Sequence, residues 1–563
     1  MNQIITVQPC HSYFARIYIM YGVKHIKVYV QIALCEQSPS CNLHIYFCMT
    51  ELYQIGGIIM SFMEKLHTVI NDNKKLTENG AVGYETTGKS LVDLNFAAAS
   101  LRNETEKKII NRFIHAFYDD KVLAMKWLFF LRDIRGGLGE RRTFRIIIRY
   151  LSENFPDMIS NLVELMAEYG RFDDLLCLFG TPVEEKVLTV LKVQLEEDVQ
   201  NMENKNPISL CAKWMPSNNT SSKDSRTMAA KLQQFLGLTA KQYRKLLVSL
   251  RAYLHVTEVY MSNNHWNEID YTKVTSKANI LYRNAFLLHD EERRKNYLEA
   301  VQNNHATIHA GVLMPHEIVT GYTQRDGWHI QVAPEDASLE ALWNNLPDVV
   351  EGAENILCVV DGSGSMLCPV GSGNTTALHV SNALGIYFAE RLGGAYHNKY
   401  ITFSSSPKYV DLSSCKTLKE KLTLAFANDD CSNTNIEATF RLVLETALKN
   451  HLRQEELPQT ILVISDMEFD AAMYGRNMDT LFDTIKHQFS IHGYKMPKLV
   501  FWNVNSRTNT IPVRENELGV GLVSGFSVNI CNMVLSNELN PFTCLKKILN
   551  SDRYKKIEYY LCL

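Results

Sequence analysis

Residues 358–366 read Cys-Val-Val-Asp-Gly-Ser-Gly-Ser-Met. Asp361 supplies a carboxylate, and Ser363 and Ser365 supply hydroxyls at alternate positions. All are hard oxygen donors. They suit a divalent cation such as Mg²⁺, with Mn²⁺ or Ca²⁺ as alternatives, better than zinc. The apolar run 356–360 leads into Asp361 and predicts a buried strand of a parallel sheet. The turn then falls at the carboxyl end of that strand, where open α/β sheets place their ligand sites. The competing reading is a serine-rich turn that holds nothing.

With these three residues in place, the turn resembles the metal-ion-dependent adhesion site of the von Willebrand factor A family. That family adds a threonine from a second loop and an aspartate from the end of a later strand. The resemblance assigns them to Thr434, in the Ser-Asn-Thr-Asn-Ile stretch 432–436, and to Asp466, which closes the apolar run 460–466. It implies a cation held by Ser363, Ser365 and Thr434, with Asp361 and Asp466 acting mainly through water. Hydroxyl ligands are neutral, so the ion keeps positive charge and an open position. An acidic group of a protein partner, or a phosphate, would complete its shell. One departure is the long loop 368–374, Cys-Pro-Val-Gly-Ser-Gly-Asn, which alters access to the turn.

The elements that must position these residues alternate. Residues 376–392 place Ala377, Val380, Leu384, Tyr387, Phe388 and Leu392 at helical spacing. Residues 437–448 and 483–492 also read as helices, and 400–403 and 498–504 as strands. Strands alternating with helices predict an α/β, doubly wound, Rossmann-like sheet over 350–535. A helical tail follows at 536–563.

From 90 to 349 the pattern is helical. Residues 186–195 carry Val187, Leu188, Leu191 and Leu195 on one face, and 161–169 repeat that spacing. Residues 142–151 are apolar on nearly every side, which predicts a buried helix. Short turns, among them Gly136-Gly137 and Gly180 to Pro182, separate the units. Helices of ten to fifteen residues with short loops predict an α-solenoid of HEAT-like repeats, although no clean period is visible.

Several strings carry a second resemblance: Leu-Val-Asp-Leu-Asn-Phe (91–96), Arg-Asp-Ile-Arg-Gly-Gly-Leu-Gly-Glu-Arg-Arg (132–142), Tyr-Gly-Arg-Phe-Asp-Asp-Leu (169–175), Ala-Lys-Trp-Met-Pro-Ser (212–217) and Met-Pro-His-Glu-Ile-Val (314–319). With the C-terminal region they resemble an uncharacterised family of plant, bacterial and large-virus proteins over about 80–560. Its plan is similar to that of the Ro ribonucleoprotein, a helical TROVE ring joined to a von Willebrand A domain. That similarity implies binding of small structured or single-stranded RNA by the helical half.

The residues themselves offer two basic groups. One is Arg135, Arg141, Arg142, Arg145 and Arg149, around a glycine-rich turn that enters a helix. Arginines there oppose the helix dipole but suit phosphate. The other is Lys241, Arg244, Lys245 and Arg251, with Tyr243 and Tyr253 as stacking platforms. The competing reading is internal salt bridging to Asp133, Glu140, Asp173 and Asp174.

The 563 residues allow two to four domains, and 46% hydrophobic with 21% charged residues is an ordinary globular balance. A net charge of −3 excludes a globally basic nucleic-acid binder, and no apolar run reaches membrane-span length. Thirteen cysteines without a Cys-x-x-Cys pair point to a reducing cytoplasm. Residues 1–59 differ in composition from the rest and are expected to be an atypical extension, a start-site artefact or a small β-element. Residues 60–89 read as a leading segment or linker. Within them, Gly83 to Ser90 matches the phosphate-loop pattern, but no buried strand precedes it and only helices follow, so no nucleotide is expected. Cys358 reads as a core residue. The expectation is a monomeric, non-enzymatic scaffold that binds through a metal. The alternatives are a protein-interaction module without RNA and a metal-assisted phosphoryl-transfer enzyme.

Overall fold

The computed structural model describes residues 74–326, 329–350, 353–371, 373–429, 434–469, 478–512, 520–535 and 540–562, and the backbone of four strands nearer the N-terminus. Those four are β1 (Gln3–Val7), β2 (Tyr13–Tyr21), β3 (Ile26–Leu34) and β4 (Leu43–Tyr46), paired antiparallel in sequence order. They belong to a unit of their own, Met1–Asn73; its other residues, with most of the expected 1–59 extension, lie outside the described residues.

The second unit, Lys74–Leu563, opens with a hairpin of β5 (Lys74–Leu76) and β6 (Val82–Tyr84). Helices then dominate as far as Asn344, broken by a hairpin of β7 (Thr323–Asp326) and β8 (His329–Val332). Helix Lys121–Arg132 is central. Asp120 caps it by accepting from the Leu123 N–H at 2.9 Å, and every residue from Leu123 onward is buried. Helix Arg142–Asn154 is not the all-round buried helix that its composition predicts. Only the face with Phe144, Ile147, Ile148 and Leu151 is buried, and its arginines lie to the side. The stretch 161–169 is split between helix Pro156–Leu162, a short 3₁₀ turn and Met166–Tyr169. Helix Glu184–Glu203 extends well past its predicted end.

The C-terminal half is an α/β region around β9 (Ile356–Asp361), β10 (Lys399–Phe403), β11 (Tyr409–Asp411), β12 (Thr460–Ser465), β13 (Lys498–Asn503) and β14 (Val520–Ser524). The order is β11-β10-β9-β12-β13-β14, and every pair is parallel except β10 with β11. Both faces are covered. Cys358, Val360, Leu462 and Ile464 enter a core that continues through the helical half to Ile557. Val359, Ile461 and Val463 enter a second core on the opposite face. This is the period-2 alternation of a strand buried twice over, which is why its sequence is apolar throughout.

Helix Ala377–Arg391 follows the Asp361 turn and is buried at every residue from 377 to 389. Gly385 lets it approach β9, since a Cβ there would lie 2.4 Å from Val360 Cγ2. Helices Pro541–Leu549 and Asp552–Leu561 return to the helical half and pack on Lys121–Arg132. Among the described residues no helix is long and apolar enough to cross a membrane.

Candidate functional site

The chain leaves β9 to one side for β10 and then crosses to β12 on the other side. The carboxyl end of β9 is therefore the topological switch point, where adjacent connections diverge and leave a crevice. Asp361 ends β9, and Asp466 directly follows β12, its parallel neighbour. Both carboxylates are buried. The Ser363 N–H donates to Asp361 Oδ1 at 2.9 Å, which folds the turn back over the strand end. The Ser363 and Ser365 hydroxyls lie 2.9 Å apart, and the Ser465 hydroxyl donates to Asp361 Oδ2 at 2.5 Å. The structure thus brings Asp361, Ser363, Ser365 and Asp466 to one strand end.

Two buried carboxylates at close quarters repel. Asp466 shows it: burial first, and then the charge of Asp361, push its carboxyl up to about 7. Arg507 opposes the shift. Its guanidinium donates to Asp466 Oδ2 at 3.2 Å and to the Ser365 carbonyl at 3.0 Å, and it also pairs with Glu78 on the β5–β6 hairpin. Glu468 anchors the same hairpin, accepting from the N–H groups of Glu78, Arg507 and Thr508 at 2.7–2.8 Å. Thr434 is buried immediately before helix Ile436–Lys449. Asp429, at the end of helix Leu418–Asn428, closes on Gly362, where a Cβ would lie 2.4 Å from its Oδ1. Asp429 therefore adds a third carboxylate beside the turn. Sequence reasoning missed Asp429, Ser465 and Arg507. Ser465 carried a signal, as a polar residue at the end of an apolar strand; the other two act over long separations.

Among the described residues no group of three or more histidine, cysteine, aspartate or glutamate side chains is placed to hold a metal ion. A divalent cation at this turn would therefore have to rest on a smaller, oxygen-only donor set. That set combines buried carboxylates that gain from a positive charge with neutral hydroxyls that leave that charge unspent. Cys358, two residues inside β9, is no competitor: burial pushes its thiol up to about 12.

The basic residues divide. Arg145 pairs with Asp173 and Asp174 at 2.8 and 2.7 Å. Arg149 pairs with Glu153 and donates to the Cys177 carbonyl at 2.8 Å. Arg135 and Arg142 reach only backbone carbonyls, of Glu168 and of Leu101 and Arg102. Arg141 makes no ion pair among the described residues; burial, then Arg171 and Arg145, hold its guanidinium below the ordinary arginine value. Lys241, Arg244 and Lys245 are exposed on helix Ala240–Tyr253. Their expected stacking partner is not available, because Tyr243 is buried and its hydroxyl donates to the Pro216 carbonyl at 2.9 Å. Tyr253 donates to the Asn206 carbonyl.

The Gly83–Ser90 loop spends its donors internally. The Thr87 N–H and both the Thr86 and Thr87 hydroxyls go to Asp93, and the Gly88 N–H goes to Thr86. A phosphate cradle needs those N–H groups free.

The fold and site define a helical region joined to an α/β region that carries an oxygen-rich, strand-end site. Residues 77–193 and 220–352 match the domain of unknown function DUF2828, and residues 355–551 match the domain of unknown function DUF7788. The chain is 30% identical over 519 residues to the uncharacterized protein L728 of Acanthamoeba polyphaga mimivirus, covering 85% of this chain and 87% of that protein. It belongs to the same family as this viral protein, with the first domain in its helical region and the second in its α/β region.

Proposed function

We propose that the protein is a metal-dependent binding scaffold whose α/β region is a von Willebrand A-type domain. The observation that carries this is the convergence of buried Asp361 and Asp466 with Ser363 and Ser365 at the switch point of the sheet. Asp361, Ser363, Ser365, Thr434 and Asp466 would hold the cation, Mg²⁺ before Mn²⁺ or Ca²⁺. When bound, the cation supplies a Lewis-acidic position for the carboxylate or phosphate of a partner. Ser465 and the Ser363 N–H hold Asp361 in place for it, and Arg507 holds Asp466. A hydrolytic role is less well supported. Glu468, the nearest further carboxylate on that strand end, is occupied by the hairpin and the Arg507 loop. The α-solenoid, Ro-like reading of the helical half, with RNA as its partner, rests on the exposed Lys241, Arg244 and Lys245 and on Arg135, Arg141 and Arg142.

Calorimetric titration with Mg²⁺ tests the metal. Wild type is expected to bind a single ion, and Asp361→Ala and Ser365→Ala to bind it about tenfold or more weakly. Circular dichroism confirms that each variant is folded. Equal affinity in folded Asp361→Ala would defeat the proposal. Gel shifts with mixed RNAs at two salt concentrations test the second partner, and no shift even at low salt removes RNA.

A further inference from the structure

A cavity of about 1550 Å³ lies between the helical region and the loop that carries Val370, Gly371, Gly373 and Thr375. Nine of its lining residues are arginine or lysine and three are glutamate. Five of those cations are held in ion pairs, for example Arg132 with Asp174 and Arg171 with Asp173. The other four are Arg135, Arg141, Arg142 and Arg251, and none pairs with a carboxylate among the described residues. Arg251 spends its donors on the Ala212 and Met215 carbonyls and the Ser217 hydroxyl at 2.8–3.0 Å. Arg141 has no such contact among the described residues; Arg171, Arg145 and Arg132 act on it as cations, and only Asp173 as a counter-charge.

Crowded guanidiniums that outnumber the acids around them cost stability, more so where water is partly excluded. A chain with net charge −3 has acids to spare for them, yet leaves them unpaired in one place. A second observation points to a ligand. His316 forms part of the wall, is 6% exposed, and its Nδ1 has no hydrogen-bond partner among the described residues. Buried polar atoms of this kind are rare unless something else meets them.

We propose that this cavity binds a compact polyphosphate ligand, a small molecule with two or more linked phosphate groups, anchored by Arg141 and Arg142. Planar guanidiniums grip phosphate oxygens in pairs, and several of them converging suit linked phosphates better than a lone carboxylate. The volume exceeds that of an ordinary small-molecule pocket, roughly 300–1,000 Å³, so more than one phosphate fits. Compactness follows from the charge map. The four unpaired arginines meet within the cavity, whereas an extended polyanion would also have to engage the exposed Lys241, Arg244 and Lys245, which do not line it. The loop that follows the Asp361 turn lines the cavity, but Asp361, Ser363, Ser365, Thr434 and Asp466 do not, so the site does not depend on the metal.

Inorganic tripolyphosphate is the probe, titrated calorimetrically into the full chain with EDTA present and salt near physiological. Saturable binding is expected, at least about tenfold tighter than that of sulfate at equal ionic strength. Arg141→Gln and Arg142→Gln should each weaken it about tenfold, the loss of one charge-assisted contact. Arg141→Gln should melt no lower than wild type, because it removes repulsion and no partner. Asp361→Ala should bind tripolyphosphate as wild type does, which separates this site from the metal turn. Three results would each overturn the proposal: affinity no better than for sulfate, undiminished affinity in both folded arginine variants, or a short single-stranded oligouridine that binds and that tripolyphosphate does not displace.

Discussion

His316 is buried against Phe526, with ring centroids 5.2 Å apart, and burial pulls its imidazole down to about 3. Glu317 opposes the shift, while Arg102, Lys277 and His379 reinforce it. In the unfolded chain the ring titrates near 6.5. Below that pH the unfolded state takes up a proton that the folded state refuses. The stability contributed by the neutral ring is therefore intact above about 6.5 and drains away as pH falls towards 3, by up to ~1.4 kcal/mol per pH unit. His316→Gln should flatten the decline of melting temperature between about pH 7 and pH 5 relative to wild type. Parallel declines would place the acid sensitivity in other groups. The same scale shows what a sequence can and cannot reveal. Asp361, Ser363 and Ser365 are legible because one turn contains them, and Asp466 because an apolar strand announces its own end. Arg141 and Arg145 look alike in sequence. Only the position of Asp173 and Asp174, on another helix, makes one paired and the other not.

Helix Ala377–Arg391 sets the height of the helical layer above β9, and Gly385 is the contact point. Alanine is the better helix former by about 1 kcal/mol. Here its Cβ would lie 2.4 Å from Val360 Cγ2, on a β-branched side chain with little freedom to turn away. Overpacking of this kind costs roughly 1–3 kcal/mol, so the clash outweighs propensity. Gly385→Ala should lower the urea midpoint, and combined with Val360→Ala it should cost less than the two separate losses summed. If the two changes simply add, helix and strand are not in the contact described. Elements with a strong local period, such as this helix and β9, are readable from sequence. Helix Arg142–Asn154 is misread because apolar content does not say which face has a neighbour. The β5–β6 hairpin goes unnoticed because it is fixed by Glu468, Phe469 and Ile511, nearly 400 residues away and further.

The chain closes on itself at its C-terminus. Helix Asp552–Leu561 docks on Lys121–Arg132 and buries Tyr554 and Ile557. Tyr554 stacks on Tyr169 at 5.7 Å and its hydroxyl donates to Asp133 at 3.0 Å. Arg553 also pairs with Asp133, which is fully buried, and Glu558 pairs with the nearly buried Lys126 at 2.5 Å. Deleting 552–563 removes two buried side chains worth roughly 1.5–3 kcal/mol each. It also leaves Asp133 without its cation in the interior, a larger penalty than the pair's own attraction. The total is on the order of 5 kcal/mol, comparable with the whole stability of a domain. The truncated chain should open first around the Gly136-Gly137 turn, because Tyr554 donates to the Gly136 carbonyl and Arg553 lies against that glycine. Limited proteolysis should then cut near residues 133–139 in the truncated chain and spare them in the full one. Tyr554→Phe is the mild control: it loses only the hydroxyl, about 1–3 kcal/mol, and should slow the appearance of that cut relative to the deletion. A truncated chain with wild-type resistance at the turn would mean that the terminal helix is an ornament rather than the closing element of the core. Because the same turn supplies Arg135, Arg141 and Arg142, the deletion should also abolish tripolyphosphate binding while leaving Mg²⁺ binding at the end of β9, none of whose proposed ligands lines the cavity, measurable.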